Sequence, residues 1–398
     1  MDFGRSVDEE AFAGEVRAFL REHPPASFPE DGVDAGYGSG AHSRPFMRAL
    51  GRRGWIAMGW PRRWGGQERP IGFKLVLLEE LALSGAPFGP LAGMDQVAEA
   101  VIQHGAPALQ AELLPQVAAG EASFWQGYSE PGAGSDLLSL TTEARREGDD
   151  WVIRGHKIWS SHAGIATHGH VLARTGGAER RSRGLTMFVV PNTTPGLDVR
   201  PIRSLTGRVY HYEVFLDAVR VPPRYVLGVE GEGFVQLLRG LETDRFWGRF
   251  YKAAALTRLL RLLVEYANAT VRDGRPLGQD PVVRRRLAEV ACDVAALGAL
   301  FRRAGWLLAT GAETRQESTL AKVFADETGQ KLAALGLDLL GLYGPLTGES
   351  RWAPLGGYLQ HYYQTTMGHT IAGGTSEVLR TTVATRALGL PAEPRARG

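Results

Sequence analysis

Gln126-Gly127-Tyr128-Ser129-Glu130-Pro131-Gly132-Ala133-Gly134-Ser135-Asp136-Leu137 is the stretch around which the rest of the chain falls into place. Its Pro-Gly-Ala-Gly core lets backbone approach a ligand closely, and N–H groups exposed there can hold an anion. The hydroxyls of Ser129 and Ser135 can hydrogen-bond a polar ring or a phosphate. Read alone, the stretch is a turn between strands that can also serve as a site.

The texture of the sequence changes on either side of it. Residues 1 to about 120 read as helical. Phe12, Val16 and Phe19–Leu20 form an apolar stripe at helical spacing, and Phe73 to Ser84 reads as another helix that stops before Gly85. Pro24-Pro25 and the Gly-rich stretch 32–40 read as loops. Residues 121–228 read as strands. Trp151-Val152-Ile153 follows the turn signal Gly148-Asp149-Asp150, and Leu185–Val190 and Tyr212–Leu216 are short, apolar and bounded by turn residues. No long helix separates these strands, which predicts a β-sandwich or barrel rather than a parallel sheet. Residues 229–398 return to long helices. Leu256, Leu259, Leu263 and Tyr266 share one face of a helix over Tyr251–Ala267, with Arg258, Arg261 and Glu265 opposite. Further helices are predicted over about Val282–Leu308 and Ser318–Leu340. The expected fold class is therefore α+β, with domains at 1–120 (helical), 121–228 (β) and 229–398 (helical).

Composition sets the outer bounds. At ~150 residues per domain, 398 residues suit two or three domains or one large unit, with no need for a disulfide or metal staple. Hydrophobic residues are 44% and charged residues 22%, ordinary for a globular protein. A net charge of +2 gives no long-range pull toward nucleic acid or an anionic membrane, so neither partner is expected. Only five basic residues are Lys and 40 are Arg, a skew that reads as coding background. The single cysteine, Cys292, lies in what reads as buried helix, which excludes an internal disulfide and Cys-based zinc sites and fits a reducing, cytoplasmic setting. The acidic N-terminal ten residues do not read as a signal peptide, and no apolar run approaches the ~18 residues of a membrane span.

The sequence has no P-loop, no H-E-x-x-H, no G-x-S-x-G and no complete G-x-G-x-x-G, which removes several common enzyme classes. His168-Gly169-His170 lacks further ligands nearby, so it reads as structural and no metal is expected. Gly155-His156-Lys157-Ile158-Trp159-Ser160-Ser161-His162-Ala163 ends a strand in Trp and two hydroxyl residues, which fits a core Trp or a site. Ile371-Ala372-Gly373-Gly374-Thr375-Ser376-Glu377 marks a helix start, with Thr375 or Ser376 as N-cap. A helix N-terminus behind two glycines can be a plain cap or an anion and carbonyl-oxygen site.

Together these three segments resemble the acyl-CoA dehydrogenase family of flavoproteins. Trp64-Gly65-Gly66, Leu77-Leu78-Glu79-Glu80-Leu81-Ala82, Leu113-Leu114-Pro115 and Leu340-Gly341-Leu342-Tyr343-Gly344 extend the resemblance over nearly the whole chain. It implies a helical N-terminal domain, a central β-domain and a C-terminal four-helix bundle, with FAD between the last two and a homotetramer or homodimer as the assembly. It also implies that Tyr128 and Ser129 sit beside the flavin pyrimidine, Ser135 near the substrate's phosphopantetheine, Trp159 over the isoalloxazine, and Ser161 toward flavin N5. Arg272 or Arg275 would reach the FAD pyrophosphate, and Gly341, Gly344, Thr375 and Glu377 match the strip touching its adenosine half.

The family removes a Cα proton and a Cβ hydride from an acyl thioester and passes the electrons to an electron-transfer flavoprotein. The carbonyl oxygen is bound by a flavin hydroxyl and by the backbone N–H of the residue matching Gly373. Most members place the catalytic Glu there, and a minority place it on the first bundle helix at the position of Asp244. Here the first position is Gly and the second Asp, so Asp244 is the expected base, with Glu242 in reserve, and Arg245 matches a family Arg that orients the base or the loop around Gly373. The small Ala372-Gly373-Gly374 wall suggests a bulky or branched acyl group, such as a steroid side chain. Alternatives on the same fold are a flavin oxidase or monooxygenase, a dehydrogenase of acyl groups on a carrier protein, and one subunit of a heteromer.

Overall fold

The computed structural model describes residues 3–24, 43–312 and 314–392, without the side chains of 92, 178, 241–249 and 315. Pro25 and the Gly-rich stretch 32–40 lie outside the described residues. Among the described residues, five α-helices come first: α1 (Val7–Glu22), α2 (Ser43–Arg52), α3 (Ile71–Ser84), α4 (Pro90–His104) and α5 (Pro107–Ala118). Helix α1 starts at a reciprocal cap, with Glu9 N donating to Ser6 Oγ at 3.2 Å and Ser6 N to the Glu9 carboxylate at 2.8 Å. Proline stands in the first turn of α4 and α5, where its missing N–H costs nothing.

Eight strands follow: β1 (Phe124–Gly127), β2 (Glu143–Glu147), β3 (Asp150–Ser161), β4 (His168–Arg174), β5 (Leu185–Pro191), β6 (Leu197–Arg203), β7 (Val209–Val221) and β8 (Val226–Leu227). They form one sheet in the order β6-β7-β3-β2-β4-β5-β8, with β1 added parallel to β4. The remaining helices are α6 (Gly233–Ala269), α7 (Pro281–Ala309), α8 (Arg315–Leu340), α9 (Tyr358–His369) and α10 (Ser376–Thr382), with a two-stranded hairpin, β9 (Val271–Arg272) and β10 (Arg275–Pro276), after α6. The helical, β, helical order read from the sequence is the order observed. No helix among the described residues is long and apolar enough to cross a membrane.

Contacts divide the chain into two compact units that cut across this order. One gathers Met1–Pro25, Leu75–Ala86 and Arg249–Gly398, and the other gathers Ala26–Lys74 and Pro87–Gly248. In the first, Phe12, Val16 and Phe19 of α1 are buried, as are Leu256, Leu259 and Leu263 of α6 and Leu297 and Phe301 of α7. Arg5 and Arg17 both pair with the buried Glu80, at 2.9 and 2.8 Å. One expectation is corrected: Cys292 is exposed. Val290 and Val294 take the inner face of α7, and Cys292, two residues on, is turned about 200° around the helix and points outward.

The second unit is built around Trp125, which is fully buried with its indole N–H on Asn192 Oδ1 at 2.6 Å. Its ring takes the space that side chains would occupy at two glycines. A Cβ on Gly169 would stand 2.4 Å from the ring, and one on Gly127 2.6 Å. Gly132 has nothing within 4 Å of its would-be Cβ. Overpacking a rigid core costs about 1–3 kcal/mol. Gly169→Ala is thus expected to destabilise the protein by about that much in urea unfolding, and Gly132→Ala to stay within about 0.5 kcal/mol of the parent.

Candidate active site

In the sheet unit the stretch Tyr128–Ala133 is pinned to β3 at three successive residues. The Tyr128 carbonyl accepts from the Lys157 ammonium at 3.1 Å, the Ser129 carbonyl from Ile158 N at 3.0 Å, and the Glu130 carboxylate from Lys157 at 2.9 Å. Glu130 also receives the backbone N–H groups of Thr141 and Thr142 at 2.7 and 2.8 Å. Glu130 and Ala133 then exchange both backbone hydrogen bonds, closing a tight turn over Pro131–Gly132. Burial alone would raise the Glu130 carboxyl, but the Lys157 ammonium and the threonine donors outweigh it and bring it down to about 2.

Strand β3 aims its own residues by a β-bulge. Its register against β7 shifts between Lys157 and Ser160, and Trp159 sits in the bulge with φ +60°. Plain alternation would bury Trp159 with Lys157. The extra residue instead turns the indole outward, 59% exposed, and puts Ser160 inside. Trp159 is therefore not a core residue; it leans edge-on to His211 with ring centres 6.0 Å apart. Ser161 is half-buried opposite His211, and Ser135 is exposed beyond the turn.

The Tyr128 side chain points inward. Its hydroxyl accepts from Gln96 Nε2 at 3.3 Å and meets Nδ1 of His170 at 2.7 Å. Burial pushes His170 down to about 3, so its ring is neutral at pH 7 and Nδ1 can accept the phenolic proton. His168 Nδ1 faces the Thr167 hydroxyl at 2.8 Å, and no metal-holding group of His, Cys, Asp and Glu occurs among the described residues. Gln96 also lies against Gly240, one turn before Asp244 on α6. The backbone of α6 runs through Asp244 and Arg245, whose side chains lie outside the described ones.

In the helical unit, the hairpin brings Arg272 to the end of α8. Its guanidinium donates to Leu339 O at 3.1 Å and lies 3.3 Å from where a Gly341 Cβ would be. Arg275 donates to Asp280 at 3.3 Å instead. Gly341 leaves the helix at φ +58°, and Gly344 N returns to Gly341 O at 3.0 Å. Thr375 is the N-cap of α10, its hydroxyl accepting from Val378 N at 3.2 Å. Glu377 follows in the first turn, held below the ordinary carboxylate range chiefly by its own backbone N–H and then by the Thr375 hydroxyl. Gly373 and Gly374 precede the cap at φ +69° and +101°, a conformation that side-chain-bearing residues rarely adopt.

A cluster absent from the sequence reading lies beneath those glycines. Lys322 of α8 donates to Gly374 O at 2.7 Å and to His369 O at 3.2 Å, and Asp326 faces both Lys322 and Lys252, at 3.0 and 2.5 Å. The sequence did carry a signal for it. Arginine is this chain's ordinary cation, yet four of its five lysines (Lys74, Lys157, Lys252 and Lys322) are buried. A compact ammonium fits where a planar guanidinium does not.

Family models match the chain in three consecutive pieces. They are the acyl-CoA dehydrogenase N-terminal domain over residues 6–121, the middle domain over 126–219 and the C-terminal domain over 231–388. "Acyl-CoA dehydrogenase FadE26" of Mycobacterium tuberculosis is 32% identical over 370 residues, 90% of each chain. A solved structure described as "Tcur3481-Tcur3483 steroid ACAD" superposes with a TM-score of 0.89 at 30% identity, covering 99% of this chain and 100% of that one. The ChsE4-ChsE5 complex from Mycobacterium tuberculosis gives a TM-score of 0.87 at 30% identity, covering 98% and 100%.

The lowered Glu130 carboxyl has a pH signature. A depressed carboxylate stabilises the fold fully above its ordinary value of 4.5, and that contribution is lost as pH falls toward 2. Glu130→Gln should therefore be less stable than the parent near neutrality, with the gap closing between about pH 4.5 and 2 in urea titrations followed by tryptophan fluorescence. Curves that stay parallel down to that pH would contradict this.

Proposed function

The chain belongs to the acyl-CoA dehydrogenase family, and on that premise we propose that it binds FAD and desaturates a bulky acyl-CoA between Cα and Cβ, with a steroid side chain as the acyl group. Gly373 carries this reading. Where most of the family is expected to have Glu, this loop has a glycine at φ +69° followed by another at +101°, so it offers backbone and open space in place of a side chain. The relatedness to a structure described as a steroid ACAD supports the same substrate class.

FAD, when bound, supplies the acceptor for the Cβ hydride. The residues present suit such a group. An indole that a strained bulge leaves 59% exposed offers a flat face to a planar ring, beside the hydroxyl of Ser161 and the pinned backbone of Tyr128 and Ser129. In the helical unit, Arg272, Gly341, Gly344, Thr375 and Glu377 are assigned to the adenosine half and pyrophosphate, and Ser135 to the substrate's pantetheine arm. The Gly373 N–H polarises the thioester carbonyl, which makes the Cα proton acidic. Asp244 takes that proton, and Arg245 orients it. Asp is about one C–C bond, ~1.5 Å, shorter than Glu, so a substrate seated closer to α6 fits this base. Electrons leave to an electron-transfer flavoprotein. The assembly is a homodimer or homotetramer; relatedness to a complex of two named chains, ChsE4 and ChsE5, favours a heteromer as the second reading.

Anaerobic titration of the yellow protein with straight, branched and steroid-side-chain acyl-CoAs tests the proposal. Bleaching of the flavin by the bulky thioesters is expected, and Asp244→Ala should slow it by about 10²–10⁴-fold. Bleaching by short straight chains alone would remove the substrate class, and full-rate bleaching by Asp244→Ala would remove the base. A protein that acquires flavin only when purified with a second chain would establish the heteromer.

A further inference from the structure

We infer that Lys322 is a positioning residue for this dehydrogenation: it clamps both ends of the loop bearing Gly373 and thereby fixes the direction of the Gly373 N–H, an inference that rests on the proposed use of that N–H on the thioester carbonyl. The loop runs from the end of α9 at His369 to the N-cap of α10 at Thr375. Its own backbone closes it only partly, through Ile371 N and Ala372 N on Gly368 O and Ser376 N on Thr370 O. The two successive glycines have no side chain to restrict them, so the direction of their peptide groups is set by the hydrogen bonds the loop makes.

Lys322 adds a restraint from the neighbouring helix. One ammonium reaches His369 O, a carbonyl in the last turn of α9, and Gly374 O, just past Gly373. Both are charge-assisted bonds inside the protein, where such bonds are strongest. The ammonium is in turn fixed from behind. Asp326, one turn further along α8, lies 3.0 Å away and is itself 2.5 Å from Lys252 on α6. Lys322 and Asp326 are both fully buried. The loop is therefore referenced through one side chain to α8 and, through Asp326, to α6. No atom of Lys322 has to touch substrate for this. A donor displaced by ~1 Å costs about 10²-fold in rate, so freeing the loop acts on catalysis through geometry alone.

The test compares the FAD-loaded parent with Lys322→Met, which keeps the stem and removes the ammonium. Three readouts are followed: hydrogen exchange in peptides covering 368–376 against the rest of the bundle, kcat and KM with an acyl-CoA that the parent oxidises, and the carbonyl infrared band of the bound ¹³C-labelled enoyl-CoA product. The expected result is exchange about tenfold faster in the loop and unchanged elsewhere, and a kcat about 10²-fold lower with KM within about threefold. The carbonyl band should move toward that of the free thioester, and FAD content should stay at the parent level. Faster exchange throughout the bundle with unchanged kcat and carbonyl band would overturn the inference and leave Lys322 as core neutralisation. If Lys322→Met does not fold, Lys322→Gln, which keeps a shorter donor, is read by the same criteria with about a tenfold loss of kcat expected. If the parent oxidises no acyl-CoA, the dehydrogenase reading falls, and the exchange data alone decide whether Lys322 holds the loop.

Discussion

A buried ammonium, paired with a carboxylate and donating to the carbonyl of a candidate-site loop, is the constraint that recurs in the two units. Lys157, paired with Glu130, holds the Tyr128 carbonyl, and Lys322, paired with Asp326, holds the Gly374 carbonyl. In each loop the lysine adds to the loop's own backbone hydrogen bonds an anchor on a neighbouring element. Burying an ammonium is costly unless it is paired and its protons are used. Both conditions are met at each lysine, so the loop carbonyls become part of what makes the buried charge tolerable.

The same economy explains the strain at the edges of the site. Trp159 adopts a left-handed backbone in the bulge of β3, and Gly373 and Gly374 adopt it before α10. Residues in such conformations persist where their surroundings over-determine them. For Trp159 the surroundings are Lys157 two residues before it and the β7 pairing at Ser160 and Ser161 after it. For the glycines they are the Lys322 clamp and the Thr375 cap. Trp159, the one of these that carries strain, and the two glycines are each bracketed by fixed residues, which is how the protein aims one indole and one N–H.

Much of this was legible in the sequence, for identifiable reasons. The helices of the last third announced themselves because Leu256, Leu259, Leu263 and Leu297, Phe301 recur at helical spacing and are buried. The order of helical and β regions followed from turn signals such as Gly148-Asp149, which closes the β2–β3 hairpin. A cap at Thr375 or Ser376 was legible because hydroxyl residues behind two glycines mark a helix start, and the structure puts the cap on Thr375. Local pattern could not supply the rest. The side of β3 that Trp159 faces depends on a register shift against β7, more than fifty residues away. Cys292 sits between two inward valines and is exposed because of where the helix turns, not because of its neighbours' polarity. Lys322 and Lys157 act on carbonyls 52 and 29 residues distant, and only their rarity among so many arginines hinted at burial.

The central proposal is that a carboxylate at Asp244 does the work of the glutamate that most of the family is expected to carry on the Gly373 loop, while the Gly373 N–H keeps its place as donor to the thioester carbonyl. A crystal structure of the FAD-loaded enzyme with its enoyl-CoA product bound tests it most directly. The account predicts the thioester oxygen within about 3 Å of the Gly373 nitrogen and the Asp244 carboxylate facing Cα. A thioester oxygen bound elsewhere, or a different carboxylate at Cα, would contradict it.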